Sequence, residues 1–144
     1  MTTEATAPDA SAAAHEPLDT RSVLISLTAK NVLESLAWYR DVLGFTVDNI
    51  RERDGKPAAV TVRSGTARLF LNQDDGGRGW ERVKGEGFSI TFDTAQDVDA
   101  IAERIKANGG TLAMDPADMP WGVRMLRVVD PDGYRLAIWR PLSA

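Results

Sequence analysis

The stretch MPWGVRMLRVVDPDGYRLAIW, residues 119–139, has the pattern of a β-hairpin. Its turn, DPDG at 130–133, places proline and glycine where turns favour them, and a strand-like segment lies on either side. One residue of the second strand is small: Ala137, which stands between leucine and isoleucine. The hairpin predicts that the chain ends in a β-sheet, and the alanine raises the question of what that side of the strand does.

The hairpin completes the second of two segments with the same order of predicted elements. Residues 22–73 have the pattern of a strand, a helix and three strands, and residues 88–140 repeat that pattern. Gly44 and Gly109, separated by the 65-residue shift that superposes the two segments, end the two helices. Each half is therefore β-α-β-β-β, and the glycine-rich residues 74–87 form a linker.

The two predicted helices differ in what marks them. The first, over 31–44, begins with Asn31 as its candidate N-cap. The second, over 95–110, places apolar residues on one face at helical spacing. That face consists of Val98, Ile101, Ala102 and Ile105. Residues 111–115, which follow it, have the pattern of a strand.

The composition is that of one soluble globular domain with a sizeable core. The 144 residues are 43% hydrophobic and 26% charged, and no run of 18 apolar residues predicts a membrane span. The chain has no cysteine, which excludes disulfides, thiol nucleophiles and thiolate metal sites. Its single histidine, His15, precedes the predicted core, so a Ser-His-Asp type of triad has no base there.

The first twenty residues differ in composition from the rest. They are rich in alanine, threonine and proline and contain four acids but no lysine or arginine, unlike a secretory or mitochondrial leader. We expect a disordered tail over 1–20, a single domain over 21–144 and a cytoplasmic location. Without the tail, 17 basic and 17 acidic residues remain. This balance argues against nucleic acid or a membrane surface as a partner.

Three segments in order and spacing resemble the vicinal oxygen chelate superfamily, which contains glyoxalase I, bleomycin resistance proteins and extradiol dioxygenases. They are SLAWYRDVLGF (35–45), DVDAIAERIKANGG (97–110) and the hairpin at 119–139. The resemblance covers about residues 22–140. It implies an α+β fold of two βαβββ modules, 22–73 and 88–140, whose curved mixed sheets form a concave cleft. Small members of this superfamily are usually homodimers.

The resemblance also indicates where metal-dependent members carry their ligands. Those positions fall on Leu24, Ser89 and Ala137, with Arg68 as the best match for the fourth and Phe70 and Asn72 as alternates. A leucine, a serine and an alanine cannot replace the imidazole and carboxylate ligands of a divalent ion, and an arginine repels one. We therefore predict no metal, no cofactor and no catalytic residue of the family type.

The remaining residues of these faces predict a pocket for a small organic molecule. Alternation along the strands and two loop tryptophans give the candidate ligand-binding residues. They are Leu24, Ser26, Arg68, Phe70, Asn72, Trp80, Ser89, Thr91, Trp121, Arg135, Ala137 and Trp139. Met114 and Met125 are interpreted as core residues rather than ligand contacts.

These observations favour a binding protein over an enzyme. The first hypothesis is metal-free binding of an aromatic or amphipathic molecule, as in the bleomycin-resistance branch, with antibiotic sequestration as one form of it. The alternative is a lyase, isomerase or dioxygenase of the glyoxalase type that uses an atypical metal site or a carboxylate such as Asp93. A third hypothesis makes the dimer surface the functional part. The acids at 74–75, Asp115 and Asp118 are assigned turn and surface roles.

Overall fold

Two four-stranded mixed sheets, each with one helix, make up the computed structural model, which describes residues 16–143. The first half contains β1 (Leu24–Ala29), α1 (Val32–Ala37), a π-helical segment (Trp38–Val42), β2 (Thr46–Arg53), β3 (Lys56–Ser64) and β4 (Ala67–Gln73). The second contains β5 (Ser89–Asp93), α2 (Val98–Ala107), β6 (Met114–Met119), β7 (Val123–Val129) and β8 (Arg135–Pro141). Most of the predicted tail, with His15, lies outside the described residues, and residues 16–20 form neither helix nor strand.

The two sheets have the same strand order. The first is β1-β4-β3-β2 and the second β5-β8-β7-β6. In each, the first and last strands of the half pair in parallel, and the other neighbours are antiparallel. This arrangement confirms the predicted fold class, a pair of βαβββ modules with mixed sheets.

The last three strands of the second half differ from the prediction at one place. The strand expected over 111–115 begins at Met114 and continues to Met119. A shift in the pairing with β7 between Met114 and Ala117 accommodates Pro116. β6 is an edge strand, and proline is tolerated at bulges and edges because it has no N–H to donate.

The helices lie where the sequence indicates, although α2 begins at Val98, three residues after the predicted start, and the last turn of the first helix is π-helical. Asn31 Oδ1 accepts the backbone N–H of Glu34 (3.2 Å), and Gly44 and Gly109 have φ of 84° and 85° behind the two helices. The predicted apolar face of α2 is buried. On α1 the buried residues are Val32, Ser35 and Leu36, whereas Leu33 is half-exposed.

Both halves share one core between their helices and the helix-facing sides of the sheets. Tyr39 is fully buried in it and meets Phe45 edge-on at 5.4 Å between ring centroids. Phe45 in turn meets Phe92 of the second half at 5.5 Å. The edge-to-face contact of Phe45 with Phe92 therefore joins the two halves within the shared core.

The DPDG turn also joins the halves, through Asp130. This buried carboxylate accepts the Tyr39 hydroxyl (2.8 Å) with one oxygen. Its other oxygen accepts the backbone N–H groups of Asp132 (2.8 Å) and Tyr134 (2.9 Å), which hold the turn. Burial raises the pKa of Asp130, and the hydrogen bond from Tyr39 opposes that shift.

Asp132 extends the contact to the start of α1 and to the linker. It accepts the backbone N–H of Lys30 (2.8 Å) and the Ser35 hydroxyl (3.0 Å). The Lys84 ammonium lies 3.3 Å from both Asp132 and Asp74, and all three side chains are at most 6% exposed. We call Asp74, Lys84, Asp130 and Asp132 the seam cluster. Asp74 has the predicted turn role, since it accepts the backbone N–H of Gly76 (3.0 Å), but it is buried in an ion pair and not on the surface as predicted.

Gly110, just after α2, permits a close approach to the first half. A Cβ at this position would lie 2.5 Å from Val42 Cγ1 and 2.6 Å from Ile105 Cγ2. We expect Gly110→Ala to lower the free energy of unfolding by about 1–3 kcal/mol, the usual cost of overpacking. Urea denaturation measures the change, with the exposed Glu103→Ala as a control expected within about 0.5 kcal/mol. Wild-type stability of Gly110→Ala would show that the two halves can separate slightly without cost.

Candidate functional site

The side of the second sheet that faces away from α2 forms a groove of about 790 Å³. We call it the groove. Six of the predicted ligand-binding residues line it: Ser89, Thr91, Trp121, Arg135, Ala137 and Trp139. Its other lining residues include Phe88, Met114, Met125 and Arg127.

The DPDG turn determines which side chains of β7 face the groove. It sets a register in which Val129 pairs with Arg135, Arg127 with Ala137 and Met125 with Trp139. Directly paired residues of antiparallel strands point to the same side of a sheet. Three residues of β7, Met125, Arg127 and Val129, therefore stand next to a predicted ligand contact on β8.

The floor of the groove is apolar. Val123, Met125 and Ala137 are buried there as a small cluster separate from the main core. Met114, Met119 and Trp139 pack against that cluster. Methionine and tryptophan side chains suit a surface that receives a varied apolar or aromatic body.

One hydrogen bond orients the tryptophan at the edge of the floor. Trp139 Nε1 donates to Asp93 Oδ1 (3.1 Å) across the parallel pair of β5 and β8. Asp93 was the carboxylate considered for acid–base catalysis, and in this arrangement it holds the indole. The bond gives this exposed acid a positioning role at the groove.

Two arginines stand at the other end of the groove. Arg135 donates only to the carbonyl of Phe88 (3.4 Å), and Arg127 has no hydrogen bond from its side chain to residues 16–143. Neither arginine takes part in an ion pair within that range. By contrast Arg124, on the other face of β7, binds Asp99 (2.7 Å) and Asp118 (2.9 Å), and its hydrogen bond holds the pKa of Asp99 below the usual value.

The other predicted ligand-binding residues do not line the groove. Leu24, Ser26, Phe70 and Asn72 lie on the corresponding side of the first sheet. Arg68 lines a smaller depression of about 310 Å³ between the sheets, which Thr91 also borders. The structure thus places six of the predicted ligand-binding residues at the groove of the second sheet and leaves five on the first sheet.

Trp80 lies away from the groove as well. It borders a depression of about 450 Å³ with Lys30, Glu34 and Asp132. Its indole lies so close to Gly76 that a Cβ there would be 2.5 Å from the ring. Trp80 thus packs against Gly76 of its own loop and lies beside Asp132 of the seam cluster.

The positions predicted to correspond to metal ligands do not form a donor set. The registers pair Ser26 with Phe70 in the first sheet as they pair Thr91 with Ala137 in the second. The equivalent of Ala137 is therefore Phe70, one of the two alternates, rather than Arg68. Leucine, phenylalanine, serine and alanine have no imidazole or carboxylate, so the residues present do not fit a divalent ion. Within 16–143 no three histidine, cysteine or acidic side chains are grouped as a metal site would require.

The predicted site omitted Met114, Met125 and Arg127. The resemblance directed attention to the first and last strands of each module, and β7 is neither. The signal was present in the hairpin, because the turn at 130–133 implies that Met125 and Arg127 share a face with Ala137. The two methionines contribute to the small cluster under the groove as well as to its lining.

Comparison with protein-family models matches residues 21–138 to the glyoxalase/bleomycin resistance protein/dioxygenase superfamily. A search of curated proteins returned no match. No helix of the described residues has the length and apolar character needed to cross a membrane.

Many solved structures share the fold. TioX from Micromonospora sp. ML1 superposes with a TM-score of 0.69 at 19% identity, over 85% of this chain and 100% of that one. TnmS3, an antibiotic binding protein from Streptomyces sp. CB03234, gives 0.65 at 21% identity over 88% and 99%. A superfamily member from Sphaerobacter thermophilus DSM 20745 gives 0.66 at 24% identity over 83% and 98%. At these identities the likeness concerns the fold.

Proposed function

The chain belongs to the glyoxalase/bleomycin resistance protein/dioxygenase superfamily, and from this membership we propose that its groove binds a small aromatic or amphipathic molecule without a metal ion. The observation that carries the proposal is the groove itself. Its volume of about 790 Å³ lies within the range of about 300–1,000 Å³ typical of small-molecule sites. An apolar floor with a few polar groups at its ends is the usual composition of such sites.

The residue types around the groove support binding rather than catalysis. Its lining contains no histidine, aspartate or glutamate among the described residues, so it offers no base of the usual kind. Asp93, at its edge, is engaged by Trp139. The family's metal positions supply no ligand set, which supports a metal-free mode of binding.

The proposal extends to sequestration of an antibiotic or a related metabolite. One protein with this fold, TnmS3, is described as an antibiotic binding protein. Sequestration of a toxic molecule requires a groove that buries it and needs no catalytic side chain. The lining of the groove in this protein agrees with that requirement. The homodimer and the cytoplasmic location expected from the sequence belong to the same proposal, and light scattering in solution tests the former.

Blocking the floor of the groove tests the proposed function. We expect Ala137→Trp to weaken binding of the uncharged fluorophore N-phenyl-1-naphthylamine by more than about tenfold, because the new indole covers apolar floor that the fluorophore would bury. Fluorescence titration in EDTA measures this. The exposed Ala107→Trp on α2 is the matched control and should bind like the wild type.

Two results would contradict this proposal. If the fluorophore binds the Ala137→Trp protein as well as the wild type, the groove is not the site. If binding requires added zinc, nickel, manganese or iron, or the purified protein carries stoichiometric metal, the glyoxalase-type enzyme is favoured instead.

A further inference from the structure

The charges that line the groove are of one sign. Arg127 and Arg135 are its charged lining residues, both are exposed, and no acid lines it within 16–143. The described residues as a whole do not lack acids, since two carboxylates bind one arginine, Arg124, elsewhere on the same sheet. The excess of positive charge is therefore local to the groove.

The two arginines are close neighbours. Arg127 pairs with Ala137 across β7 and β8, and Arg135 precedes Ala137 by two residues on the same face. Such diagonal neighbours in an antiparallel pair lie about 7–8 Å apart, within reach of long side chains. Two like charges at this separation repel each other unless an anion lies between them.

The other arginine of β7, Arg124, has its charge neutralised by carboxylates of the same chain. Arg124 faces the opposite side of the sheet and is held by two carboxylates at 2.7 and 2.9 Å. Neither groove arginine has such a partner in 16–143. Their guanidinium groups are left available to a molecule in the groove.

We infer that the ligand of the groove carries an oxyanion, such as a carboxylate or sulfonate, which binds between Arg127 and Arg135 while its apolar body covers Met125, Ala137 and Trp139. This inference rests on the proposed function and specifies its ligand class. Guanidinium groups bind planar oxyanions with paired hydrogen bonds. Ser89 is paired with Arg135 in the sheet and places a hydroxyl donor at the same end.

A pair of related fluorophores separates the charge from the apolar body. 1-Anilinonaphthalene-8-sulfonate has the ring system of N-phenyl-1-naphthylamine with a sulfonate added. We expect the wild type to bind the sulfonate more tightly, and Arg127→Gln/Arg135→Gln to weaken that binding about tenfold, from up to about fivefold for each exposed charge contact. The uncharged fluorophore should change less than about twofold, which also shows that the variant is folded.

A charge-matched control removes two arginines elsewhere. Arg53→Gln/Arg78→Gln alters the net charge equally but concerns exposed residues that do not line the groove, and should leave both affinities unchanged. Raising the ionic strength from about 0.01 to 0.15 M shortens the Debye length from about 30 to 8 Å. This change should weaken the binding of the sulfonate and leave the binding of the uncharged fluorophore unchanged.

The outcomes distinguish the two proposals. The oxyanion inference is wrong, while the groove proposal stands, if both fluorophores bind the wild type with equal affinity. The same holds if Arg53→Gln/Arg78→Gln lowers the affinity for the sulfonate as much as Arg127→Gln/Arg135→Gln does. If neither fluorophore binds, or Ala137→Trp changes neither affinity, the groove proposal is wrong and the inference is overturned with it.

Discussion

Replacement of Lys84 by methionine is expected to lower the free energy of unfolding by about 3 kcal/mol at pH 7, because it leaves two buried carboxylates without their shared cation. The ammonium lies 3.3 Å from Asp74 and from Asp132, and these side chains are 3% and 5% exposed. Methionine fills similar space but cannot compensate the charges. Urea denaturation followed by tryptophan fluorescence measures the loss.

This loss should depend on pH in a defined direction. The backbone N–H of Gly76, with Lys84 and Arg82, lowers the pKa of Asp74 below its ordinary value of 3.8. The stability that Asp74 contributes is therefore present above about pH 4 and is lost as the pH falls through the lower pKa of the folded state. Lys84→Met removes part of that contribution, so the gap between variant and wild type should narrow below pH 4.

A more exposed lysine serves as the control for this prediction. Lys106 is half-exposed and lies 3.9 Å from each of its acidic partners, so Lys106→Met should change stability by less than about 0.5 kcal/mol. An equal loss for Lys84→Met at pH 2.5 and pH 7 would mean that packing, rather than charge, is what the lysine provides.

Asp130→Ala is expected to destabilise the protein by a similar amount, about 3 kcal/mol. It removes the acceptor of the Tyr39 hydroxyl, which is fully buried, and of two backbone N–H groups in the turn. An unpaired buried donor costs about 1–3 kcal/mol, and the turn loses its internal acceptor as well.

Asparagine at the same position provides the sharper comparison. Its amide oxygen can accept the two turn N–H groups and its amide nitrogen can donate to the tyrosine oxygen, so Asp130→Asn should lose less than half as much. Asp115→Ala, at a side chain that is 81% exposed, should be nearly neutral. Thermal unfolding at pH 7 ranks the three variants, and equal losses for Ala and Asn would show that the hydrogen bonds of Asp130 contribute little.

The fold could be predicted from the sequence because its signals are local and repeated. The hairpin at 119–139 carries its own turn chemistry, α2 presents an apolar face at regular spacing, and Gly44 and Gly109 end both helices. The same signals, however, occur in both halves. They indicate that each sheet has an outer face but not which face forms a groove, and so Leu24 and Phe70 were grouped with Ala137.

Local sequence patterns do not predict contacts between residues that are far apart in the sequence. Asp74 and Asp75 each accept a backbone N–H two residues on, from Gly76 (3.0 Å) and Gly77 (2.8 Å). Only Asp74 is buried, and its burial depends on Lys84 and on a turn some sixty residues along the chain. Likewise Arg127 is available to a ligand because no carboxylate of residues 16–143 pairs with it. Only the assembled sheet shows that Arg124 has carboxylate partners and Arg127 has none within 16–143.

The DPDG turn has a consequence for the history of the molecule. The hairpin of β3 and β4 closes with Gly65 and Thr66 alone, whereas residues 130–134 connect β7 and β8. The longer connection supplies the acids that reach Tyr39 and α1 of the other half. If the halves arose by duplication, they have since become complementary and can no longer substitute for each other. Neither should fold alone, and the protein should melt in a single cooperative transition.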